Sequence, residues 1–282
     1  MWVETYRRSL KMPEAEEVFD LIFYRPVAFL LVNVLILLPI TPNQVTMLSL
    51  IAGVVAAWYL SVAAGSALIL AAVWYCAANI LDCSDGQLAR LQKSGTPLGR
   101  VIDGVADYVS SVAIFIGIGM GLSATGHTAW GLVIAAGVSS ALHAILFDKY
   151  QGEFISTVRG EQNALGDEVN RTTNELQSVT AAGKTPGRAF ILRLYLRYLK
   201  VQQRMSATTE QPYDPETYRL ENLTMIRLWS FLGPTTNRTL LIVCALAGRV
   251  DIFLWTVVAA GNVWMIACSL AQKRIYSKLR PA

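Results

Sequence analysis

The sequence predicts an all-α integral membrane protein with six transmembrane helices. Hydrophobic residues make up 54% of the 282 residues, and the mean hydropathy is +0.41, which is higher than in ordinary soluble domains. Several apolar stretches reach the roughly 20 residues that a helix needs to cross a bilayer. The charged residues concentrate between these stretches and at their ends, so a soluble globular domain is excluded.

Six apolar stretches fit transmembrane helices. The first follows Thr41, which can cap a new helix with Pro42 at its first position. The fifth is short, and only the charged turn around Arg249 separates it from the sixth. The predicted spans are residues 43–64, 67–91, 98–122, 127–147, 236–249 and 251–272.

The stretch Pro26–Ile40 is apolar but only 15 residues long, which is below the usual spanning length. We therefore expect an N-terminal interfacial amphipathic helix instead of a seventh span. With the N-terminus in the cytoplasm, only Arg249 of the 24 Lys and Arg residues lies on the outer side, as the positive-inside rule requires. A spanning 26–40 helix would place Arg7 and Arg8 outside.

Four aspartates lie in apolar stretches where acidic residues should be scarce. Asp82 and Asp85 fall in the second predicted span, and Asp103 and Asp107 fall in the third. Spacings of three and four residues bring each pair to one helix face. Four carboxylates near a membrane are costly and repel one another unless a cation holds them together. A hard divalent cation with oxygen ligands meets that need. We expect Mg²⁺, with Mn²⁺ as the second choice.

Small and basic residues stand at fixed offsets from these aspartates. The segment from Asp82 reads D-x2-D-G-x2-A-R-x8-G-x3-D-x3-D, and it resembles the motif of the CDP-alcohol phosphotransferase (CDP-alcohol phosphatidyltransferase) family at every defined position. Eight identities over 26 positions make this pattern far more specific than a lone glycine loop. Ion pairs with Arg90 and Arg100 would not explain the cluster, because two arginines cannot neutralise four carboxylates. The resemblance covers about residues 20–148.

The resemblance implies an enzyme that transfers a substituted phosphoryl group from a CDP-linked donor to an acceptor hydroxyl and releases CMP. It implies two divalent metal ions, and it makes Asp107 both a metal ligand and the general base. The implied metal ligands are Asp82, Asp85, Asp103 and Asp107, and the implied donor-binding residues are Gly86, Ala89, Arg90 and Gly99.

The substrates follow only from weaker features. The donor we expect is CDP-diacylglycerol, a CDP-linked lipid. The run Phe23-Tyr24-Arg25-Pro26 resembles bacterial members that make inositol phospholipids, so inositol or inositol phosphate is the expected acceptor alcohol. Candidate acceptor-binding residues are Lys93, Arg100 and Arg238, all near cytoplasmic helix ends. Glycerol phosphate and serine stay open as acceptors. Transfer from a soluble CDP-alcohol, such as CDP-choline or CDP-ethanolamine, to a diglyceride would use the same motif and also stays open.

Composition divides the chain into four parts. Residues 1–42 form a cytoplasmic tail and the interfacial helix, 43–148 the first four spans with the catalytic motif, 149–235 a cytoplasmic helical insertion, and 236–282 the last two spans and a C-terminal tail. Residues 162–184 of the insertion are polar enough to be partly disordered. Residues 188–204 carry basic residues at helical spacing, which indicates either a helix on anionic lipid or cations that attract a phosphorylated acceptor.

Two other classes of protein fit the sequence less well: magnesium channels or transporters, and nucleic-acid-binding proteins. A non-enzymatic magnesium channel or transporter also uses intramembrane aspartates, but it does not explain the fixed offsets of the glycines, alanine and arginine of the motif. The net charge of +4 fits membrane topology, and the sequence has no aromatic-interleaved basic tract of the kind that binds nucleic acid.

The expected partners are therefore membrane lipids, the two substrates and a second copy of the chain in a homodimer. Gly117, Gly119 and Gly121 would permit close helix approach, as at a dimer interface. The active site should face the cytoplasm, in the cell membrane if the chain is bacterial.

Overall fold

The computed structural model describes residues 2–63, 65–126, 129–160, 164–182, 186–206 and 213–279, and all of the regular structure within these ranges is helical. Two segments, Asp20–Tyr24 and Thr256–Gly261, form π-helical turns. The α-helices are α1 (Trp2–Ser9), α2 (Arg25–Leu35), α3 (Pro42–Val62), α4 (Ser66–Leu91), α5 (Pro97–Ala124), α6 (Trp130–Val158), α7 (Ala164–Ala182), α8 (Pro186–Ser206), α9 (Pro215–Trp229), α10 (Pro234–Leu246), α11 (Val250–Trp255) and α12 (Asn262–Leu279).

Five helical stretches of the described residues are long and apolar enough to cross a membrane. They are α3, α4, α5, α6 and the continuous stretch Val250–Leu279. The predicted fifth span corresponds to α10, which has 13 residues. A helix of that length is about 20 Å long, against roughly 30 Å of hydrocarbon, so the six-span count is not confirmed. The predicted fourth span begins at residue 127, which lies outside the described residues.

The start of α3 is as the sequence predicts. Thr41 caps the helix: its Oγ1 accepts a hydrogen bond from the Gln44 N–H at 3.4 Å, and Gln44 Oε1 accepts one from the Thr41 N–H at 2.8 Å. Pro42 occupies the first turn, where it has no backbone N–H to leave unsatisfied. This reciprocal cap fixes the helix end beside the two motif helices.

Glycines bring α5 very close to its neighbours. A Cβ added at Gly117 would lie 2.2 Å from the carbonyl oxygen of Ala57 on α3, and one added at Gly121 would lie 2.2 Å from that of Leu60. At Gly119 it would lie 2.4 Å from the Trp130 ring. These glycines therefore serve packing within the chain and not a dimer interface, and the homodimer stays a prediction.

Helix α2 covers α4 with one face only. Ala28, Phe29 and Val32 are fully buried, whereas Leu30 and Val34 are more than half exposed. The exposed Leu30 and Val34 are as apolar as the buried residues, and the helix ends at Leu35, so the amphipathic helix predicted for 26–40 is not confirmed. Its position in a membrane interface stays a prediction.

The described residues of the insertion include three helices of its own, α7, α8 and α9. Residues 164–182 form α7, so the expectation of partial disorder in 162–184 is wrong where those residues are described. Helix α9 joins a core with α6 and α12, in which Trp229 is fully buried and donates from its Nε1 to Gln272 Oε1 at 3.2 Å. Polarity along α7 misled the prediction, because this polar helix packs against α8.

Candidate active site

Helices α4 and α5 bring three of the motif aspartates together. Asp82 and Asp85 lie one turn apart on α4, and Asp103 lies on α5. Carboxylate oxygens of all three lie within 4.8 Å of one another. Both helices pack against α3, so the motif spacing turns the acidic faces toward each other.

Asp85 is the most deeply buried member of this group. Its Oδ2 accepts a hydrogen bond of 2.5 Å from the Thr46 hydroxyl in the second turn of α3. The reciprocal cap at Thr41 fixes the start of that helix, so it also fixes the position of Thr46. Sequence reasoning missed Thr46, although it lies in the Thr-Pro-Asn-Gln-Val-Thr run that begins the first span.

Asp107 has a different partner. Its Oδ1 accepts a hydrogen bond of 2.6 Å from Arg238 Nη2, and its side chain is 40% exposed. Arg238 also donates through Nη1 to Asp82 Oδ2 and to Asn79 Oδ1, both at 2.9 Å. Arg238 is buried on α10, so a guanidinium from a distant part of the chain links the two ends of the acidic group.

We call Asp82, Asp85, Asp103, Asp107 and Arg238 the motif cluster. Four carboxylates meet one guanidinium, which leaves an excess of negative charge in a largely buried place. The donor set is made only of carboxylate oxygens, which is the ligand type that Mg²⁺ and Mn²⁺ prefer. The cluster thus fits a divalent metal ion.

The donor-binding candidates surround the C-terminal half of α4. The Arg90 guanidinium lies against Gly86, where an added Cβ would be 3.4 Å from Nη1 and Nη2. Arg90 Nε donates to the Ser9 carbonyl at 2.5 Å, and Nη2 is buried without a hydrogen-bond partner among the described residues. Ala89 is half-buried. Gly99 approaches Asn43 of α3, where an added Cβ would lie 3.2 Å from the Asn43 Oδ1.

The three acceptor-binding candidates lie in different settings. Lys93 is exposed in the turn after α4, with a φ of 52°. Arg100 forms an ion pair with Glu168 of α7. Of the three candidates, only Arg238 lies at the acidic group.

A second group of charged side chains lies where the N-terminal segment crosses the bundle. Its members are Glu16, Glu17, Asp20 and Arg25, which we call the N-terminal cluster. Arg25 Nη2 lies 2.9 Å from Glu16 Oε2 and 3.6 Å from Asp20 Oδ2. Asp20 Oδ1 also accepts a hydrogen bond from the Cys83 thiol at 3.6 Å.

Glu17 of this cluster caps the helix that carries Arg238. Its two oxygens accept hydrogen bonds from the backbone N–H groups of Thr235 and Thr236, at 3.1 and 2.8 Å. A Cβ at Gly233 would lie 2.2 Å from the Glu17 carboxyl carbon, so only glycine leaves room for this cap. Burial, and secondarily the neighbouring Asp20, raises the pKa of Glu17 to about 8.

Sequence reasoning missed the N-terminal cluster and the partners of Arg238. The contacts join residues 131 positions apart for Arg238 and Asp107, and 218 apart for Glu17 and Thr235. Spacing along one helix carries no information about such distant partners. The available signal was the occurrence of three acids, Glu16, Glu17 and Asp20, just before an apolar stretch.

The fold and the cluster define a class: an all-helical membrane protein with an acidic, metal-compatible site between two apolar helices. Residues 39–165 match the family model CDP-alcohol phosphatidyltransferase, so the chain contains a domain of that family. All four motif aspartates and Thr46 lie inside the match, whereas Glu17 and Arg238 lie outside it. A search of curated proteins found no match to the chain.

The matched family generally supports a transferase activity of the CDP-alcohol phosphotransferase type, and it implies a CDP-alcohol donor and an alcohol acceptor. Such enzymes act in phospholipid biosynthesis and generally depend on divalent metal ions. The group of Asp82, Asp85 and Asp103 agrees with that dependence, because it can hold such an ion.

Proposed function

We propose that the protein transfers a phosphatidyl group from CDP-diacylglycerol to the hydroxyl of inositol or inositol phosphate and releases CMP. The observation that carries this proposal is the convergence of Asp82, Asp85 and Asp103 within 4.8 Å inside a CDP-alcohol phosphatidyltransferase domain. The Phe23-Tyr24-Arg25-Pro26 run supports an inositol-type acceptor.

The reaction is a direct displacement at phosphorus. The acceptor oxygen forms a bond to the phosphorus that bears the diacylglycerol, and the bond from that phosphorus to the CMP oxygen breaks. Asp107 takes the acceptor proton. Arg238 contacts Oδ1 of Asp107, which leaves Oδ2 for that proton.

Asp82, Asp85, Asp103 and Asp107 would hold Mg²⁺ or Mn²⁺, two ions in our proposal. When bound, these ions neutralise the diphosphate and stabilise charge on the attacking and leaving oxygens. The chain supplies the rest. Thr46 holds Asp85 in place, and the buried Nη2 of Arg90 is available to a diphosphate oxygen beside Gly86. The small side chains at Ala89 and Gly99 leave room for the donor, as the resemblance implies.

An anionic acceptor would need a further cation, and Arg238 is best located to supply it. An incoming phosphate would compete with Asp82 and Asp107 for the same guanidinium. Lys93 is exposed and can attract the acceptor without breaking an ion pair. Arg100 would first have to leave Glu168, so we propose a smaller part for it.

The charge distribution supports a site that faces the cytoplasm, with the chain in the cell membrane if it is bacterial. A sideways opening would let the lipid donor enter from the inner leaflet. We keep the short fifth span at 236–249, which would bring the count to six, and the homodimer as parts of the proposal. The division of the chain into four parts is also part of the proposal, with bounds at 1–42, 43–148, 149–235 and 236–282.

The test is CMP release by the purified protein in proteoliposomes that contain CDP-diacylglycerol, with a panel of acceptors. We expect release with Mg²⁺ and inositol or inositol phosphate, and none with a chelator. Asp85→Asn should abolish it. Asp251→Asn is the matched control, because Asp251 lies far from the motif in the sequence, is exposed and pairs with the neighbouring Arg249. Release only when glycerol phosphate or serine is the acceptor would contradict the inositol assignment.

Two alternatives give different results in the same vesicles. A magnesium channel or transporter would carry Mg²⁺ and release no CMP from any donor. An enzyme that transfers from a soluble CDP-alcohol to a diglyceride would release CMP only when those substrates replace CDP-diacylglycerol.

A further inference from the structure

Helix α8 presents two different outward faces. Ala189, Leu192 and Leu199 are buried and form the inner face. On the outside, Phe190 is 66% exposed and Leu194 is 59% exposed. These two residues are four positions apart, so they form one exposed apolar stripe.

A basic stripe runs beside the apolar one. Arg193, Arg197 and Lys200 are exposed and follow the spacing i, i+4, i+7, which puts them on one side of the helix. By the period of the helix, Arg193 and Arg197 lie between the Phe190 and Leu194 stripe and the buried face, and Lys200 lies nearest that buried face, although all three side chains are exposed. An apolar stripe flanked by Lys and Arg is the pattern of helices that lie in the interface of a bilayer with anionic lipids.

The hairpin of α7 and α8 is tied to the end of a candidate span. Arg100 lies in the first turn of α5, where it pairs with Glu168 of α7 and interacts with Tyr195 of α8. Helix α5 is long and apolar enough to cross the membrane, so its first turn lies close to one bilayer surface. This tie keeps α8 within reach of that surface.

We propose that α8 is a lipid-binding helix that docks on the anionic phospholipid surface of the membrane in which the chain is embedded. Phe190 and Leu194 enter the interface, and Arg193, Arg197 and Lys200 bind phosphate groups of the lipid heads. Charge complementarity favours this occupant, because the inner surface of a membrane is negative. The proposal does not depend on the reaction proposed above.

The experiment uses the full chain without its four native cysteines and with Leu194→Cys carrying an environment-sensitive fluorophore. It is reconstituted in lipid nanodiscs of phosphatidylcholine, with or without phosphatidylglycerol. We expect a blue shift of emission when phosphatidylglycerol is present, and loss of that shift at high salt because the head-group contacts are screened. The same fluorophore at Ser178→Cys, an exposed position on α7, should report an aqueous environment in both discs.

The charge variant is Arg193→Gln/Arg197→Gln/Lys200→Gln. It should weaken interface binding on the order of 100-fold, since each basic residue near an anionic surface contributes about fivefold. The Arg193→Lys/Arg197→Lys variant should keep the shift. As a matched control, Lys273→Gln/Arg274→Gln/Lys278→Gln removes the same charge from exposed positions of α12 and should also keep it.

An emission at position 194 that is the same in both discs would overturn the proposal. So would a blue shift that survives both high salt and the triple glutamine variant, since that result would show an apolar contact with protein. If the triple variant instead raised the acceptor KM and left the emission unchanged, the basic stripe would bind the acceptor and not lipid.

Discussion

The motif cluster and the N-terminal cluster both hold charged side chains inside an apolar helical bundle, but they differ in how their charges are matched. In the N-terminal cluster every acid has partners: Glu16 and Asp20 meet Arg25, and Glu17 caps a helix. In the motif cluster, Arg238 pairs with two of the four carboxylates, those of Asp82 and Asp107, and Thr46 donates a hydrogen bond to a third, that of Asp85.

This difference separates structural charges from functional ones. A buried acid with complete partners costs stability when it is removed, because its donors are left unsatisfied. A group of acids with too few cations repels itself, so removing one acid relieves strain and removes a ligand site. Removal of an acid should therefore have opposite effects on stability in the two clusters.

The largest effect should come from Asp85→Asn in the motif cluster. An amide is a poor ligand for a hard cation, and losing such a transition-state contact lowers the rate by about 10²–10³-fold or more. The measurement is CMP release at limiting Mg²⁺, with Asp82→Asn as a second variant. Near-normal turnover by either variant would remove the assigned aspartate from the metal site.

Asp107 should behave differently from its three neighbours. If it is the base, Asp107→Asn lowers turnover by about 10²–10⁴-fold but largely keeps donor affinity, because three carboxylates remain. Donor affinity and single-turnover rate, measured side by side, distinguish the two roles. A loss in donor affinity alone would make Asp107 a metal ligand without a part in proton transfer.

In the N-terminal cluster, Glu17→Ala should destabilise the protein by about 1–3 kcal/mol, because it leaves backbone donors of α10 without an acceptor. It should also loosen Arg238, one turn further along. Thermal unfolding in detergent micelles measures the first effect. Leu30→Ala, at an exposed position of α2, serves as the control. An unchanged midpoint for Glu17→Ala would show that the cap contributes nothing.

The raised pKa of Glu17 gives this residue a defined pH dependence. With a folded pKa of about 8 and an unfolded pKa near 4.5, its protonated form favours the folded state. Its stabilising contribution is thus complete below the unfolded pKa and is lost as pH rises through about 8. Glu17→Gln should resemble the wild type near pH 4, below both pKa values, and exceed its stability at pH 9. A difference of the opposite sign at pH 9 would show that the folded state favours the ionised form of Glu17, so that its pKa is not raised.

The smallest effects should be at Lys93 and Arg100. Lys93→Gln should raise the KM for inositol phosphate several-fold, since an exposed charge contact contributes roughly 1 kcal/mol. It should hardly change the KM for uncharged inositol or for the donor. Arg100→Gln should change the KM for inositol phosphate less, because that residue is already paired with Glu168. Equal changes for charged and neutral acceptors would show that Lys93 only supports the turn.

The contrast between the clusters also explains what the sequence could reveal. Spacings of three and four residues, together with hydropathy, predicted the five stretches that are long and apolar enough to cross a membrane, the α3 cap and the grouping of Asp82, Asp85 and Asp103. These features are local, or they repeat a motif. The ion pair of Asp107 with Arg238 and the Glu17 cap join chain segments that meet only in the folded bundle. No local sequence pattern could therefore predict them.

The helices outside the motif show the same limit. Helix α7 is polar although it packs against α8, so its composition resembled that of a disordered segment. Helix α10 is apolar but 13 residues long, and it packs against α4 while presenting Arg238 to the acids. Hydropathy measures how apolar a stretch is and not which partner covers it.

The most direct test of the difference between the clusters is the thermal unfolding midpoint of wild type and Asp85→Asn, each with chelator and with Mg²⁺. An excess of negative charge in the motif cluster predicts that Mg²⁺ raises the wild-type midpoint, because the ion binds only the folded state. Asp85→Asn should unfold at a higher temperature than wild type in chelator and gain little from Mg²⁺. If Asp85→Asn instead unfolds earlier in chelator and gains as much from Mg²⁺ as wild type, Asp85 is a structural acid and the site must lie elsewhere.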